Sequence, residues 1–162
     1  MNYKQIFIFL LTLFPLHLLL AQPREIEMID YPTFEARVNE HSDQLMIYNF
    51  WATWCGPCVK ELPEFERVNT EYADRNVKVV FVSLDFASMK AQVEAFVASK
   101  GIQAEVILLN APDYNAWIDK VSPEWSGAIP ATLIVKPSAG IREFKEQSFT
   151  YEELTAWLEG IE

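Results

Sequence analysis

The fold of this chain is decided by residues 45–58, which read LMIYNFWATWCGPC. Residues 45–51 form an apolar run broken by Asn49, and such a run predicts a buried strand. The strand leads into a turn that holds both cysteines of the chain, Cys55 and Cys58. A helical pattern follows, so we expect Cys55 at a helix N-terminus, where unpaired N–H groups and the helix dipole favour a thiolate. Because the thiolate is the nucleophile in disulfide exchange, the pair is a candidate redox site.

The spacing of the two cysteines argues against other roles. A structural disulfide gains most by constraining a long loop, and two intervening residues constrain almost nothing. A structural zinc site needs about four ligands. The chain's imidazoles are His17 and His41, so the pair would have to recruit carboxylates. Soft thiolates also suit copper(I), which leaves a metal-carrying role as an alternative. We expect no resident metal and no cofactor.

The composition indicates one globular domain with an acidic surface. The chain has 162 residues, of which 51% are hydrophobic and 22% are charged, and the formal net charge is −10. Its Lys and Arg residues form no basic cluster. An acidic surface repels phosphate backbones, so we expect no nucleic-acid partner.

The first 21 residues resemble a leader. Lys4 lies in a short polar start, residues 6–20 are almost uninterruptedly apolar, and Ala21 offers a small residue for cleavage. The apolar stretch is shorter than the roughly 20 residues of a spanning helix. We expect residues 1–21 to be a signal peptide, with an uncleaved membrane anchor at residues 6–20 as the alternative. Residues 22–30 then read as a linker, residues 31–162 as the domain, and the location as periplasmic or otherwise extracytoplasmic.

Helical and strand patterns alternate along the rest of the chain. Further strands are predicted at 77–84, 105–109, 131–136 and 141–145, and helices at 32–40, 55–72, 89–100, 113–121 and from a Thr150/Glu153 capping box onward. The residues at 137–140, PSAG, read as a hairpin turn between the last two strands. This order predicts an α/β fold in which helices cover the faces of one central sheet.

On these motifs the chain resembles the thioredoxin superfamily, and within it the exported thiol-disulfide oxidoreductases called TlpA- or ResA-like. The resemblance covers about residues 31–160. It rests on NFWATWCGPC at 49–58, on Pro63 at the family's helix-kinking position, and on AIPAT at 128–132, which is similar to the family's cis-proline loop. Residues 86–109 resemble the helix and strand inserted in TlpA-like members. The implied fold is thioredoxin-like, with a mixed central sheet.

The resemblance implies roles for the residues of the cysteine turn. Cys55 would be the exposed nucleophile, and Cys58 would be the buried thiol that resolves the mixed disulfide. Gly56 and Pro57 would set the turn and tune its potential. Trp54 would line the substrate groove.

The cis-proline loop carries a second set of implied roles. Pro130, if cis, would face the dithiol across the groove. The backbone of Ile129 would be available to pair with an extended substrate segment. The alternative is that Pro130 merely starts a strand.

One departure from the family concerns the proton of the resolving thiol. Ordinary thioredoxins carry a buried Asp where this chain has Asn49, which cannot act as a base. Glu61 matches an acidic residue that ResA-like members carry beneath the active site. If Glu61 faces the core, burial raises its pKa toward neutrality and suits it to proton exchange. The alternative is a solvated Glu61 beside Lys60.

The function implied is reduction of disulfides in exported proteins by the Cys55–Cys58 dithiol. A membrane electron donor would then restore the dithiol. Within the same chemistry, a net oxidase or isomerase is the alternative. A non-catalytic thioredoxin-like adaptor or metallochaperone, and a peroxidase of the same superfamily, are alternatives of other classes.

Overall fold

The computed structural model describes residues 25–161. The strands are β1 (Glu27–Ile29), β2 (Leu45–Trp51), β3 (Val77–Ser83), β4 (Glu105–Leu109), β5 (Ala131–Lys136) and β6 (Ile141–Lys145). The helices are α1 (Tyr31–Asn39), α2 (Gly56–Glu71), α3 (Lys90–Lys100), α4 (Ile118–Val121) and α5 (Tyr151–Ile161). Short 3-10 turns occupy Ala73–Arg75, Ala87–Met89, Tyr114–Ala116 and Pro137–Ala139.

The six strands make one mixed sheet in the order β1-β4-β3-β2-β5-β6. The first four strands of that order run parallel, while β5 is antiparallel to β2 and β6 is antiparallel to β5. The predicted fold is therefore confirmed. Because β2 lies between β3 and β5, it directs the cysteine turn to the middle of the sheet edge.

Both faces of the sheet are covered, as alternation along the strands requires. Ile47 of β2 faces the core formed with α2, α3 and α5, whereas Phe50 faces the core formed with α1 and α4. Asn49 and Trp51 share the face of Ile47, two residues apart on a pleated strand. That face carries α2, so Asn49 points toward the helix that follows the cysteines.

The prediction of a linker at 22–30 is wrong for the last residues of that segment. Residues Glu27–Ile29 form β1, which pairs in parallel with β4, and Ile26 is buried beside it. Three residues with one buried side chain give no readable period, so only pairing with β4 defines this strand.

The predicted signal peptide or anchor at 1–21 lies outside the described residues. No helix within 25–161 is long and apolar enough to cross a membrane.

The predicted secondary structure is otherwise close to the structure. The hairpin of β5 and β6 is confirmed, and so are the strand and helix of the 86–109 segment. The helix predicted at 113–121 is a 3-10 turn followed by the short α4. The Thr150/Glu153 capping box is present, with reciprocal hydrogen bonds between the two residues.

Candidate active site

The two cysteines form a disulfide at the start of α2. Their Cα atoms are 5.3 Å apart, and Cys55 is the N-cap residue of the helix, whose Sγ accepts a hydrogen bond from the Cys58 N–H at 3.3 Å. The helix N-terminus thus faces the Cys55 sulfur, where it stabilises a thiolate after reduction. Cys55 keeps 6% of its surface exposed and Cys58 keeps none. Cys55 is therefore the more accessible of the two cysteines.

The two residues between the cysteines are exposed, although the disulfide itself is almost buried. Pro57 lies in the first turn of α2, where its missing N–H removes no helical hydrogen bond. A Cβ added to Gly56 would meet no atom within 4 Å, so the space beside this residue is open.

The loop before β5 faces the disulfide. The Ile129–Pro130 peptide bond is cis, as the resemblance led us to expect. The carbonyl oxygen of Ile129 lies 3.8 Å from the Sγ of Cys55. Pro130 itself is buried, while Ile129 remains partly exposed. The backbone of Ile129 therefore borders the sulfur that would carry a mixed disulfide.

Glu61 is buried beneath the disulfide, on the second turn of α2. Glu61 is 3% exposed. Its two carboxylate oxygens accept hydrogen bonds from Asn49 Nδ2 and from the Phe149 N–H, both at 2.8 Å. Burial raises the pKa of Glu61 to about 7, against the two hydrogen bonds, which lower it. Cys58 precedes Glu61 by three residues on the same helix, so their side chains lie on one face. Glu61 is therefore buried, and the alternative prediction of a solvated Glu61 is wrong.

Thr132 joins Asn49 and Glu61 in a buried hydrogen-bonded group, and the sequence patterns did not identify Thr132 as part of the site. The Nδ2 of Asn49 donates a second hydrogen bond to Thr132 Oγ1 at 3.2 Å, and both residues are fully buried. Within residues 25–161 the Oδ1 of Asn49 has no hydrogen-bond partner. Asn49 therefore bridges Glu61 of α2 to β5, two residues beyond the cis-proline. A polar residue inside an otherwise apolar strand was the available signal.

A cavity of about 300 Å³ opens beside Glu61. It lies between the first turns of α2 and the segment Ser148–Thr150, and Lys60, Glu64 and Glu153 line it together with Glu61. Glu61 therefore lies at the wall of a cavity while its side chain stays almost fully buried.

Asp85 stabilises the turn between β2 and α2, and the sequence patterns did not identify this residue. Its carboxylate accepts hydrogen bonds from the N–H and hydroxyl of Thr53, at 3.0 and 2.6 Å, and from the Ser83 hydroxyl at 2.8 Å. Asp85 is 2% exposed. Asp85 lies two residues after the end of β3, the neighbour of β2, so its position just after a buried strand was the readable signal. The turn that leads to Cys55 is thus fixed from the neighbouring strand.

The tryptophans separate into exposed and buried groups. Trp54, next to Cys55, is 64% exposed. Trp51 is fully buried and packs against Phe81 and Phe96. Trp117 and Trp125 are buried and contact each other edge to face, so they pack the core rather than form a docking surface.

The sequence is similar to a protein family and to thiol-disulfide oxidoreductases. A family model described as the AhpC/TSA family matches residues 26–144. The chain is 30% identical over 116 residues to the thiol-disulfide oxidoreductase ResA of Oceanobacillus iheyensis, covering 72% of this chain and 56% of that protein. It is 27% identical over 117 residues to the sporulation thiol-disulfide oxidoreductase A of Bacillus subtilis, covering 72% of this chain and 67% of that protein.

Solved structures agree with the fold. StoA from Bacillus subtilis superimposes with a TM-score of 0.57 at 26% identity, over 74% of this chain and 85% of that one. A thioredoxin-related protein from Neisseria meningitidis superimposes with a TM-score of 0.64 at 22% identity, over 74% and 86% of the two chains. The chain spans little more than half the length of the ResA relative. It belongs to the AhpC/TSA family, and its fold is that of the thioredoxin-like proteins.

Proposed function

We propose that this protein is a thiol-disulfide oxidoreductase that reduces disulfides in exported proteins. The observation that carries the proposal is the Cys55–Cys58 disulfide at a helix N-terminus, bordered by the Ile129–Pro130 loop. A dithiol at this position has one reachable sulfur and one buried sulfur. That asymmetry is what a two-step exchange requires.

The reaction transfers two electrons and two protons from the Cys55–Cys58 dithiol to the client disulfide. The Cys55 thiolate attacks one sulfur of the client disulfide, a mixed disulfide forms, and one client thiolate leaves. The Cys58 thiolate then attacks the Cys55 sulfur, the second client thiolate leaves, and the Cys55–Cys58 disulfide forms. The client is reduced and the protein is oxidised.

Glu61 is proposed to take the proton of Cys58 in the second step. Its pKa of about 7 allows it to accept and release a proton near neutrality, and the cavity beside it leads that proton to solvent. Asn49 supports this role as a hydrogen-bond donor to the carboxylate. It cannot itself accept the proton.

The direction of electron flow and the location belong to the same proposal. The CGPC turn is the one found in reducing thioredoxins, which the chain resembles. In an exported location the dithiol would be restored by a membrane electron donor. The names of the ResA and StoA relatives state the oxidoreductase activity of those proteins and are consistent with either direction.

Insulin reduction by the purified protein tests the activity. We expect turnover with dithiothreitol that is abolished in both Cys55→Ser and Cys58→Ser, and slowed in Glu61→Gln. Turnover that survives either cysteine replacement would refute the proposal and favour an adaptor. A reduction potential near −270 mV, like that of thioredoxin, supports a reductant, whereas one near −120 mV makes the protein a disulfide donor.

A further inference from the structure

The cis-proline loop before β5 is held by the indole of Trp125. Its Nε1–H donates a hydrogen bond to the carbonyl oxygen of Ala128 at 2.8 Å. Trp125 is 4% exposed, and its ring contacts Phe50 of β2, with ring centroids 4.6 Å apart. Because β2 leads to the cysteine turn, Trp125 connects the strand that carries the cysteines to the loop that faces them.

The same loop has a second support at the surface. The carboxylate of Glu146 accepts hydrogen bonds from the N–H and the hydroxyl of Ser126, both at 2.7 Å. Glu146 directly follows β6, so these bonds connect the loop to the hairpin of β5 and β6. Ser126 and Ala128 flank Gly127, whose φ of +95° favours glycine. The loop is thus held on both sides of this glycine.

The hydrogen bond from Trp125 decides where the N–H of Ile129 points. The carbonyl of Ala128 and the N–H of Ile129 belong to one planar trans peptide, in which the two groups point in opposite directions. Since the carbonyl is directed at the buried indole, the N–H is directed away from it. The carbonyl oxygen of Ile129 in turn lies 3.8 Å from the Sγ of Cys55. Trp125 therefore orients the backbone donor of a residue whose acceptor borders the reactive sulfur.

We propose that Trp125, together with Glu146, is a positioning residue that holds the backbone of Ile129 in the orientation that pairs with a peptide bound to Cys55. This inference rests on the proposed function. In a mixed disulfide the client is attached to the Cys55 sulfur, so its chain passes Ile129. A donor and an acceptor that are already oriented bind an extended peptide without the cost of first ordering the loop. Trp125 and Glu146 act through Ile129.

This role predicts a difference between two kinds of disulfide. A peptide disulfide has a backbone that pairs with Ile129, whereas 2-hydroxyethyl disulfide has none. In both reactions the Cys55–Cys58 dithiol is oxidised and one disulfide is reduced to two thiols, with transfer of two electrons and two protons. Loss of the support for the loop should therefore slow the first reaction and leave the second unchanged. A residue that serves only to keep the protein folded would affect both reactions alike.

The experiment compares Trp125→Phe with the wild type, because Phe keeps an aromatic ring and removes the N–H donor. The reduced proteins react with a disulfide-linked dimer of a short peptide or with 2-hydroxyethyl disulfide. Acid quench and mass spectrometry give the two second-order rate constants. We expect the ratio of the peptide rate constant to the small-disulfide rate constant to fall about fivefold in Trp125→Phe, the size of one neutral hydrogen bond.

Trp117→Phe is the matched control. Trp117 is 2% exposed, and its Nε1–H also donates to a backbone carbonyl, that of Ala111 at 2.9 Å. Ala111 follows β4, which lies two strands from β2 in the sheet. The ratio in this variant should equal the wild-type ratio. Glu146→Ala, at an exposed position, should lower the ratio as Trp125→Phe does.

An unchanged ratio in Trp125→Phe would overturn the inference, and so would an equal fall of the ratio in Trp117→Phe. Slowing of Trp125→Phe to the same extent with both disulfides leaves the ratio unchanged and assigns Trp125 a structural role alone. Circular dichroism verifies that the variants fold; if Trp125→Phe does not, an unchanged ratio in Glu146→Ala overturns the inference. Failure of the wild type to react with either disulfide would instead refute the proposed function.

Discussion

Replacing Glu61 with Gln should change how the stability of the oxidised protein depends on pH. Glu61 is buried, and its pKa is raised from 4.5 to about 7, first by burial. In the unfolded chain the same carboxyl group titrates near its ordinary value. Between these two pKa values the folded protein holds a proton that the unfolded chain has released.

The size of the effect follows from the two pKa values. The contribution of a raised pKa is fully present below the unfolded value, about pH 4.5, and is lost as the pH rises through the folded value, about 7. Each unit of pH in that window costs about 1.4 kcal/mol, so the total loss is about 3 kcal/mol. The introduced Gln carries no titrating proton and therefore shows none of this loss.

Urea unfolding of both proteins from pH 4.5 to 8.5 measures the difference. The cysteines stay in their disulfide and do not titrate, and the groups that line the cavity with Glu61, namely Lys60, Glu64 and Glu153, are common to both proteins. We expect the free energy of unfolding of the wild type to fall by about 3 kcal/mol relative to the variant across this range. Some constant offset is also expected, because Gln offers one acceptor to two donors, Asn49 Nδ2 and the Phe149 N–H.

A difference in the free energy of unfolding between the two proteins that is constant with pH would contradict this prediction. A constant difference would mean that Glu61 titrates at its ordinary pKa in the folded protein. Its proposed part in proton transfer from Cys58 would then lose its physical basis.

Two further predictions concern hydrogen bonds that hold the site and the last helix. Asp85→Ala removes the acceptor of the hydrogen bonds donated by Thr53 and Ser83, and should lower the free energy of unfolding by about 2 kcal/mol because the buried Ser83 hydroxyl and the two part-buried Thr53 donors lose their partner. Insulin reduction should slow as well, and Asp85→Asn should recover part of both losses; a variant with wild-type stability and rate would show that the turn holds itself. Thr150→Ala removes the capping box of α5 and should cost about 1 kcal/mol in urea unfolding. Thr155→Ala, on the same helix but away from the cap, serves as its control, and an equal loss in both variants would contradict the assignment to capping.

The central elements could be predicted because their signals are local. Uninterrupted apolar runs mark β2 and β3, and the hairpin turn with its flanking runs marks β5 and β6. The cysteine pair and its helix form one contiguous stretch, and the cis-proline loop at 128–132 forms another, so each could be recognised in the sequence without knowledge of distant contacts.

The fold class and the position of the dithiol could be predicted from local patterns, whereas the sequence left open whether Glu61 is buried beneath the cysteines or solvated. The packed structure reveals β1, which exists through its pairing with β4, and the partners of the buried carboxyl groups of Glu61 and Asp85. Thr132 reaches Asn49 across 83 residues, and Thr53 reaches Asp85 across 32. A periodic pattern reports which side of an element is buried, but not which residue of a distant element lies opposite. That choice depends on strand order and register, and these are set when the whole sheet packs.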